Sequence, residues 1–192
     1  MESQNQRTKD ALFCAESAPI FLAQSDTTAG FLCEDFTKLN AIKGRKESQN
    51  VLLTLDSLKK LKNLVRIPKK HKNTIRKSTK NTFIYRGKNA LNQESLAIRL
   101  VQEKQGKDNL HAEFLRFFPF LYSSSANAHQ CHFDLNFALQ KADIVVLDKR
   151  GLAESKPSKI YKISNFNLKC IRWDDAIRIF NACKFNARVC AI

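Results

Sequence analysis

The sequence predicts an α/β protein, a mixed sheet flanked by helices, and two observations carry that expectation. Short runs rich in β-branched and aromatic residues recur along the chain, and amphipathic stretches with apolar residues three and four apart stand between them. Strand and helix patterns alternate throughout with no internal repeat or low-complexity block, so the economical architecture is one sheet with helices packed on it. A chain of 192 residues at 43% hydrophobic composition can bury one sizeable core. We therefore expect a single domain over 1–192, with its core at about 19–173 and a flexible start over 1–10.

In chain order, PIFLA (19–23) reads as the first strand and Phe36 to Lys43 as the first helix. VLLTL (51–55) is the second strand. Ser57 can cap the next helix, Ser57 to Arg66, whose stripe is Leu58, Leu61, Leu64 and Val65. Pro68 should stop it, because its ring cannot continue the hydrogen-bond ladder. TFIY (82–85) and LAIRLV (96–101) are further strands, followed by a helix from His111 to Phe118 and the strand FLYS (120–123). A helix from Asp134 to Lys141, the strands DIVVL (143–147) and SKIYKI (158–163), and a helix from Asp174 to Asn181 complete the pattern.

Composition narrows the classes of function. The longest apolar runs fall far short of the roughly 20 residues that span a bilayer, and Met1 to Asp10 carries no apolar signal core. No membrane partner and a cytoplasmic location are expected. Six cysteines without a CxxC pair favour reduced thiols, mostly in the core, over disulfides or zinc. His129, Cys131 and His132 are read as loop or core residues, so no metal site is assigned to the chain itself. The net charge of +15 implies a polyanionic partner such as a nucleotide or RNA.

The charge is densest from Lys59 to Lys80, which holds ten Lys or Arg residues and no acid. Two readings stand: a solvated helix face followed by a mobile loop, or an RNA-facing patch in which Lys59, Lys62, Lys69, Lys70, Lys72, Arg76 and Lys77 meet phosphates. Few aromatics interleave the run, which argues against base stacking within it.

The residues that suggest chemistry lie elsewhere. Gln24 to Phe31 places small hydroxyl side chains and Gly30 at a strand end, a turn suited to ligand contact. Lys43-Gly44-Arg45 ends a helix, where two cations also answer the helix dipole. Thr82 lies in a strand, and Ser123-Ser124-Ser125-Ala126-Asn127 runs on from FLYS. Arg99 stands inside an apolar strand and needs a carboxylate, internal or from a ligand, because an unpaired buried charge costs several kcal/mol.

Taken in order with Pro157-Ser158-Lys159-Ile160 and Arg172, these residues resemble the YrdC/YciO-type threonylcarbamoyl-AMP synthases. The most specific parts are SLAIRLV (95–101), SSSAN (123–127) and PSKI (157–160). The chain departs from the family's usual Pro-Thr-Asp-Thr-x-Tyr-Gly-Leu strand end with Gln24, Ser25, Ala29 and Phe31. The resemblance implies a twisted mixed sheet around a basic cavity, and synthesis of threonylcarbamoyl-AMP from L-threonine, bicarbonate and ATP, with Mg2+ accompanying the nucleotide. It also implies that downstream tRNA-modification enzymes use the product. By the same resemblance Lys43 and Arg45 would act on the phosphates as catalytic residues, with Thr82, Ser125, Asn127 and Arg172 also binding the nucleotide. Thr27, Arg99, Ser123 and Ser158 would bind threonine. The alternative is a divergent protein of the same fold that binds tRNA, double-stranded RNA or nucleotide without making the adenylate.

Overall fold

The computed structural model describes residues 18–87, 89–102, 109–128 and 131–172. In chain order its elements are β1 (Phe21–Gln24), β2 (Ala29–Cys33), α1 (Phe36–Ile42), β3 (Leu52–Leu55), α2 (Leu58–Leu64), a 3-10 turn (Lys69–His71) and α3 (Lys72–Lys77). There follow β4 (Asn81–Arg86), β5 (Ser95–Leu100), α4 (Leu110–Leu115), β6 (Leu121–Ser125), α5 (Leu135–Lys141), β7 (Ile144–Val146), β8 (Lys159–Ile163) and β9 (Leu168–Arg172). All nine strands join one sheet in the order β7-β1-β2-β6-β3-β5-β4-β8-β9. It is mixed as expected: β1 with β7, β3 with β5 and β4 with β8 are parallel, and the other neighbours are antiparallel.

The two faces of the sheet are used differently. On one, Leu22, Phe31, Leu53, Ile98 and Phe83 pack with Leu39 of α1, Leu61 and Leu64 of α2, Ile75 of α3 and Ala138 of α5 in the main core. On the other, Phe21, Ala23, Leu32 and Leu121 pack with Ala112 and Leu115 of α4 and with Phe118. Phe21 meets Phe114 and Phe118 edge-on, with centroids 5.2 and 5.5 Å away, contacts that add about 0.5–1.5 kcal/mol each beyond their buried area. Alternation along the strands carries Gly30, Ser123, Arg99 and Thr82 onto this second face. Beyond α4 that face forms the wall of a cavity lined by those four residues.

Several expectations need correction. Two strands escaped the sequence patterns. β2, Ala-Gly-Phe-Leu-Cys, is buried at every position, so it has no polar alternation to betray it. β9 has only five residues and follows β8 across a tight turn. The second helix begins as expected, with Ser57 Oγ accepting from the Lys60 amide. It ends at Leu64, before Pro68, because Val65 turns extended and bridges Asn89. The supposed mobile loop after it contains a 3-10 turn and α3, anchored by buried His71 and Ile75. Cys33 is buried, Cys170 is half-buried and Cys131 is exposed, all as free thiols, so core burial holds for one of the described three. The expected helix over Asp174 to Asn181, the start at 1–10 and His129 lie outside the described residues. No helix among the described residues is long and apolar enough to cross a membrane.

Candidate functional site

A cavity of about 320 Å³ opens on the second face of the sheet, where the turn after β1 meets the ends of β6 and β8. The turn is held by its own polar side chains. Ser25 Oγ accepts from the Thr27 amide at 3.0 Å and donates to the Thr28 carbonyl at 2.6 Å. Gln24 donates to the Thr27 carbonyl at 3.1 Å, and its carbonyl oxygen accepts from the Ala153 amide at 2.8 Å. Gln24 thereby ties the turn to the loop after β7, a link that the family's usual proline could not make. From the same loop Arg150, paired with Asp148, donates to the backbone carbonyls of Gln24 and Ser25.

Thr27 faces Arg99. The Arg99 guanidinium, 4% exposed, donates from Nη1 to Thr27 Oγ1 at 2.8 Å, and its Nη2 lies 3.3 Å from Asp26 Oδ1. The Asp26 contact is an ion pair without hydrogen-bond alignment, and Arg99 Nε has no hydrogen-bond partner among the described residues. Burial draws the guanidinium below its ordinary value and the Asp26 charge partly restores it. The carboxylate that a buried arginine requires is thus supplied from within the chain. His111 of α4 lies in the same electrostatic neighbourhood. Burial and the charges of Arg99 and Arg150 push it down to about 3, so it is neutral at working pH.

The far wall comes from β6 and the end of α1. Gly30 on β2 is required by close approach, because a Cβ there would sit 3.0 Å from the Ser124 carbonyl oxygen. Gly44, in the left-handed region at φ 62, turns the chain after α1. The two flanking cations part company at this turn. Arg45 lines the cavity and its Nη1 lies 3.4 Å from Ser124 Oγ. Lys43 is buried, and its Nζ donates to the Ser125 carbonyl at 2.6 Å, to Ser125 Oγ at 3.2 Å and to Asn127 Oδ1 at 2.9 Å. Burial and the Arg45 charge draw its ammonium down to about 8.

The third wall is β4, β8 and β9. Thr82 Oγ1 and Ser158 Oγ share a buried hydrogen bond of 2.9 Å, and Arg172 donates to the Ser158 carbonyl from Nε at 3.2 Å and Nη2 at 2.8 Å. The structure therefore brings Thr27, Arg45, Thr82, Arg99, Ser123, Ser125, Ser158 and Arg172 to one cavity. Lys43 and Asn127 stand behind that wall, joined to it through Ser125. Lys59, Lys62, Lys69, Lys70, Lys72, Arg76 and Lys77 are exposed and do not line the cavity. Lys60 is structural: it pairs with Asp56 and donates to the carbonyls of Leu115 and Phe118, closing the C-terminal end of α4. Sequence reasoning missed Asp26, Gln24 and Arg150. The need for a carboxylate beside Arg99 was a signal for the first, but nothing local pointed to the others.

Among the described residues no three or more histidine, cysteine or carboxylate side chains converge on one point. The arrangement offers guanidinium charge, hydroxyls and backbone at one concave wall, which suits an anionic ligand with a small polar group.

No protein-family model matches the sequence, and no curated protein matches it either. Solved structures do. Escherichia coli YciO superposes with a TM-score of 0.66 at 13% identity, over 89% of this chain and 90% of that one. Sua5 of P. abyssi, solved with L-threonine, gives a TM-score of 0.63 at 12% identity over 80% of this chain. This chain spans half the length of that Sua5. HypF of T. kodakarensis gives 0.66 at 11% identity, over 90% of this chain and 24% of that one. The nine-stranded mixed sheet and its flanking helices are those of the YrdC/YciO/Sua5 fold.

Proposed function

We propose that this chain is a threonylcarbamoyl-AMP synthase, joining L-threonine, bicarbonate and ATP in the cavity. The observation that carries the reading is the convergence of Arg45, Arg99 and Arg172 with the hydroxyls of Thr27, Thr82 and Ser158 on one wall, in a fold shared with a Sua5 solved with L-threonine.

The chemistry asks for positioning and charge more than for a strong base. The threonine amine and bicarbonate give the N-carboxylate with loss of water, and one of its oxygens attacks the α-phosphorus of ATP while the bond to the bridging oxygen breaks and pyrophosphate leaves. Holding the reactants in line can supply as much as roughly 7–11 kcal/mol of barrier reduction, and fixed cations stabilise the charge that develops on the phosphate oxygens. Arg45 and Arg172 are the cations for the nucleotide, with Mg2+ arriving on its phosphates. Lys43 holds Ser125 and Asn127 in place. Arg99 orients Thr27, and with Ser123 and Ser158 these residues take threonine. The released mixed anhydride is reactive, so a downstream tRNA-modification enzyme would take it up directly.

The pairing of Arg99 with Asp26 favours one second reading, because this cation is already neutralised without a substrate carboxylate. In it the chain binds nucleotide, tRNA or double-stranded RNA and makes no adenylate. Purified protein with ATP, bicarbonate and labelled L-threonine separates the two. Threonine-dependent pyrophosphate and threonylcarbamoyl-AMP, lost in Arg45→Ala, support the synthase. ATP binding without threonine-dependent turnover supports the second reading.

A further inference from the structure

Thr27 is placed by residues that lie outside the cavity. Hydrogen bonds within its own turn, from Ser25 Oγ to the Thr28 carbonyl, from the Thr27 amide to Ser25 Oγ and from Gln24 to the Thr27 carbonyl, fix the turn's shape. They do not fix its position against β5. That position is set by Arg99 from one side and by the β7–β8 loop (147–158) from the other.

The loop is itself anchored. The Gly151 amide closes a turn on the Asp148 carbonyl at 2.9 Å, and Leu152 packs against the main core. The Asp148 side chain, 5% exposed, accepts from the Arg150 amide at 2.9 Å and from Arg150 Nε at 2.9 and 3.0 Å, and it also pairs with Nη2. Both carboxylate oxygens thus hold the guanidinium plane, a fork geometry that a lysine cannot reproduce. From that plane Nη2 reaches the Gln24 carbonyl at 3.2 Å and Nη1 the Ser25 carbonyl at 3.5 Å. Ala153 adds a second fastening, because its amide donates to Gln24 Oε1 at 2.8 Å and its carbonyl accepts from the Ala29 amide at 2.9 Å.

Charge acts in the same direction. The hydrogen bonds to Asp148, and then the charges of Asp148 and Asp26, hold the Arg150 guanidinium above its ordinary value. Asp26 therefore lies in the field of two arginines, Arg99 at 3.3 Å and Arg150. A substrate carboxylate at Arg99 must share that cation with Asp26, and a second arginine near Asp26 makes the sharing less costly. Arg150 does not line the cavity, so its effect on a ligand passes through the turn.

We propose that Arg150 is a positioning residue for the threonine side of the cavity. Through the Gln24 and Ser25 carbonyls it sets where Thr27 stands opposite Arg99, and through Asp26 it leaves Arg99 available to the substrate carboxylate. The inference rests on the synthase reading. The test measures the threonine KM, kcat at saturating threonine and the ATP dissociation constant for the full chain, for Arg150→Lys and for Arg150→Ala/Asp148→Asn. The double variant removes the carboxylate together with the arginine, so no uncompensated charge is left behind and the fold should hold. Its threonine KM should rise about tenfold, the size of a lost charge-assisted hydrogen bond, with kcat within about twofold and ATP affinity unchanged. Arg150→Lys keeps a charge near Asp26 without the fork, and its KM should fall between wild type and the double variant. A wild-type threonine KM in the double variant overturns the proposal, as does a loss of ATP affinity as large as the rise in KM, which would mean general loosening. A wild-type chain that makes no threonylcarbamoyl-AMP removes the synthase reading and this inference with it, whereas turnover with an unaltered KM in the double variant removes this inference alone.

Discussion

Among single residues, Arg99 does most to shape the cavity. Arg99→Ala leaves Asp26 as a charge largely removed from water, and should cost about 3–5 kcal/mol in urea unfolding. Arg99→Met combined with Asp26→Asn should recover much of that loss, because no uncompensated charge remains. Gly30→Ala pushes a methyl against the Ser124 carbonyl and should cost about 1–3 kcal/mol while weakening ATP binding, since β2 must shift away from β6. Lys43 carries a pH signature. The folded chain releases its proton at about 8 and the unfolded chain at the ordinary 10.5, so between those values the unfolded state holds more protons. Stability relative to Lys43→Met should therefore rise as pH climbs from about 8 to 10.5. Melting curves of both proteins across that range check it, and a flat difference would mean that the three oxygen acceptors keep the lysine charged. Arg99 stood out in the sequence because a charge within an apolar run has few explanations, whereas Lys43-Gly44-Arg45, two cations at a helix end, gained its role only from the family resemblance. Asp26 did not stand out, because its partner lies 73 positions away (99 − 26) and only the register of β5 brings them together.

At the level of elements, the basic segment shows how charge hides structure. Its density of lysines reads as solvated loop, yet α3 is held by Ile75, which is fully buried. Ile75→Ala should cost about 2–5 kcal/mol, whereas Lys72→Gln or Lys77→Gln on the exposed side should stay within about 0.5 kcal/mol. Equal, small effects in all three, measured by thermal melts, would return the segment to a loop. The amphipathic helices were legible because one face of each meets the sheet, and Ser57 marked its helix start by local hydrogen bonding alone. β2 was not, because a strand buried on both faces loses the alternation that identifies half-buried strands. The end of α2 was misplaced for a tertiary reason, since Val65 leaves the helix to pair with Asn89 on a distant segment.

On the scale of the whole molecule, a net charge of +15 on 192 residues makes the folded state repel itself. Its melting temperature should rise between about 10 and about 150 mM sodium chloride as the Debye length shortens. A falling temperature would show that attractive ion pairs outweigh the repulsion. The α/β class, most strands and helices, and the order of the cavity motifs were determined by the sequence itself, because periodicity, caps and turns are local properties of the chain. Tertiary structure alone decided that β1 and β2 join β6 to form the cavity wall, that Arg45 lines it while Lys43 stands behind Ser125, and that Gln24 and Arg150 lock the turn. Each of these depends on strand order and register, which join segments far apart in the chain and leave no mark on the pattern of either segment.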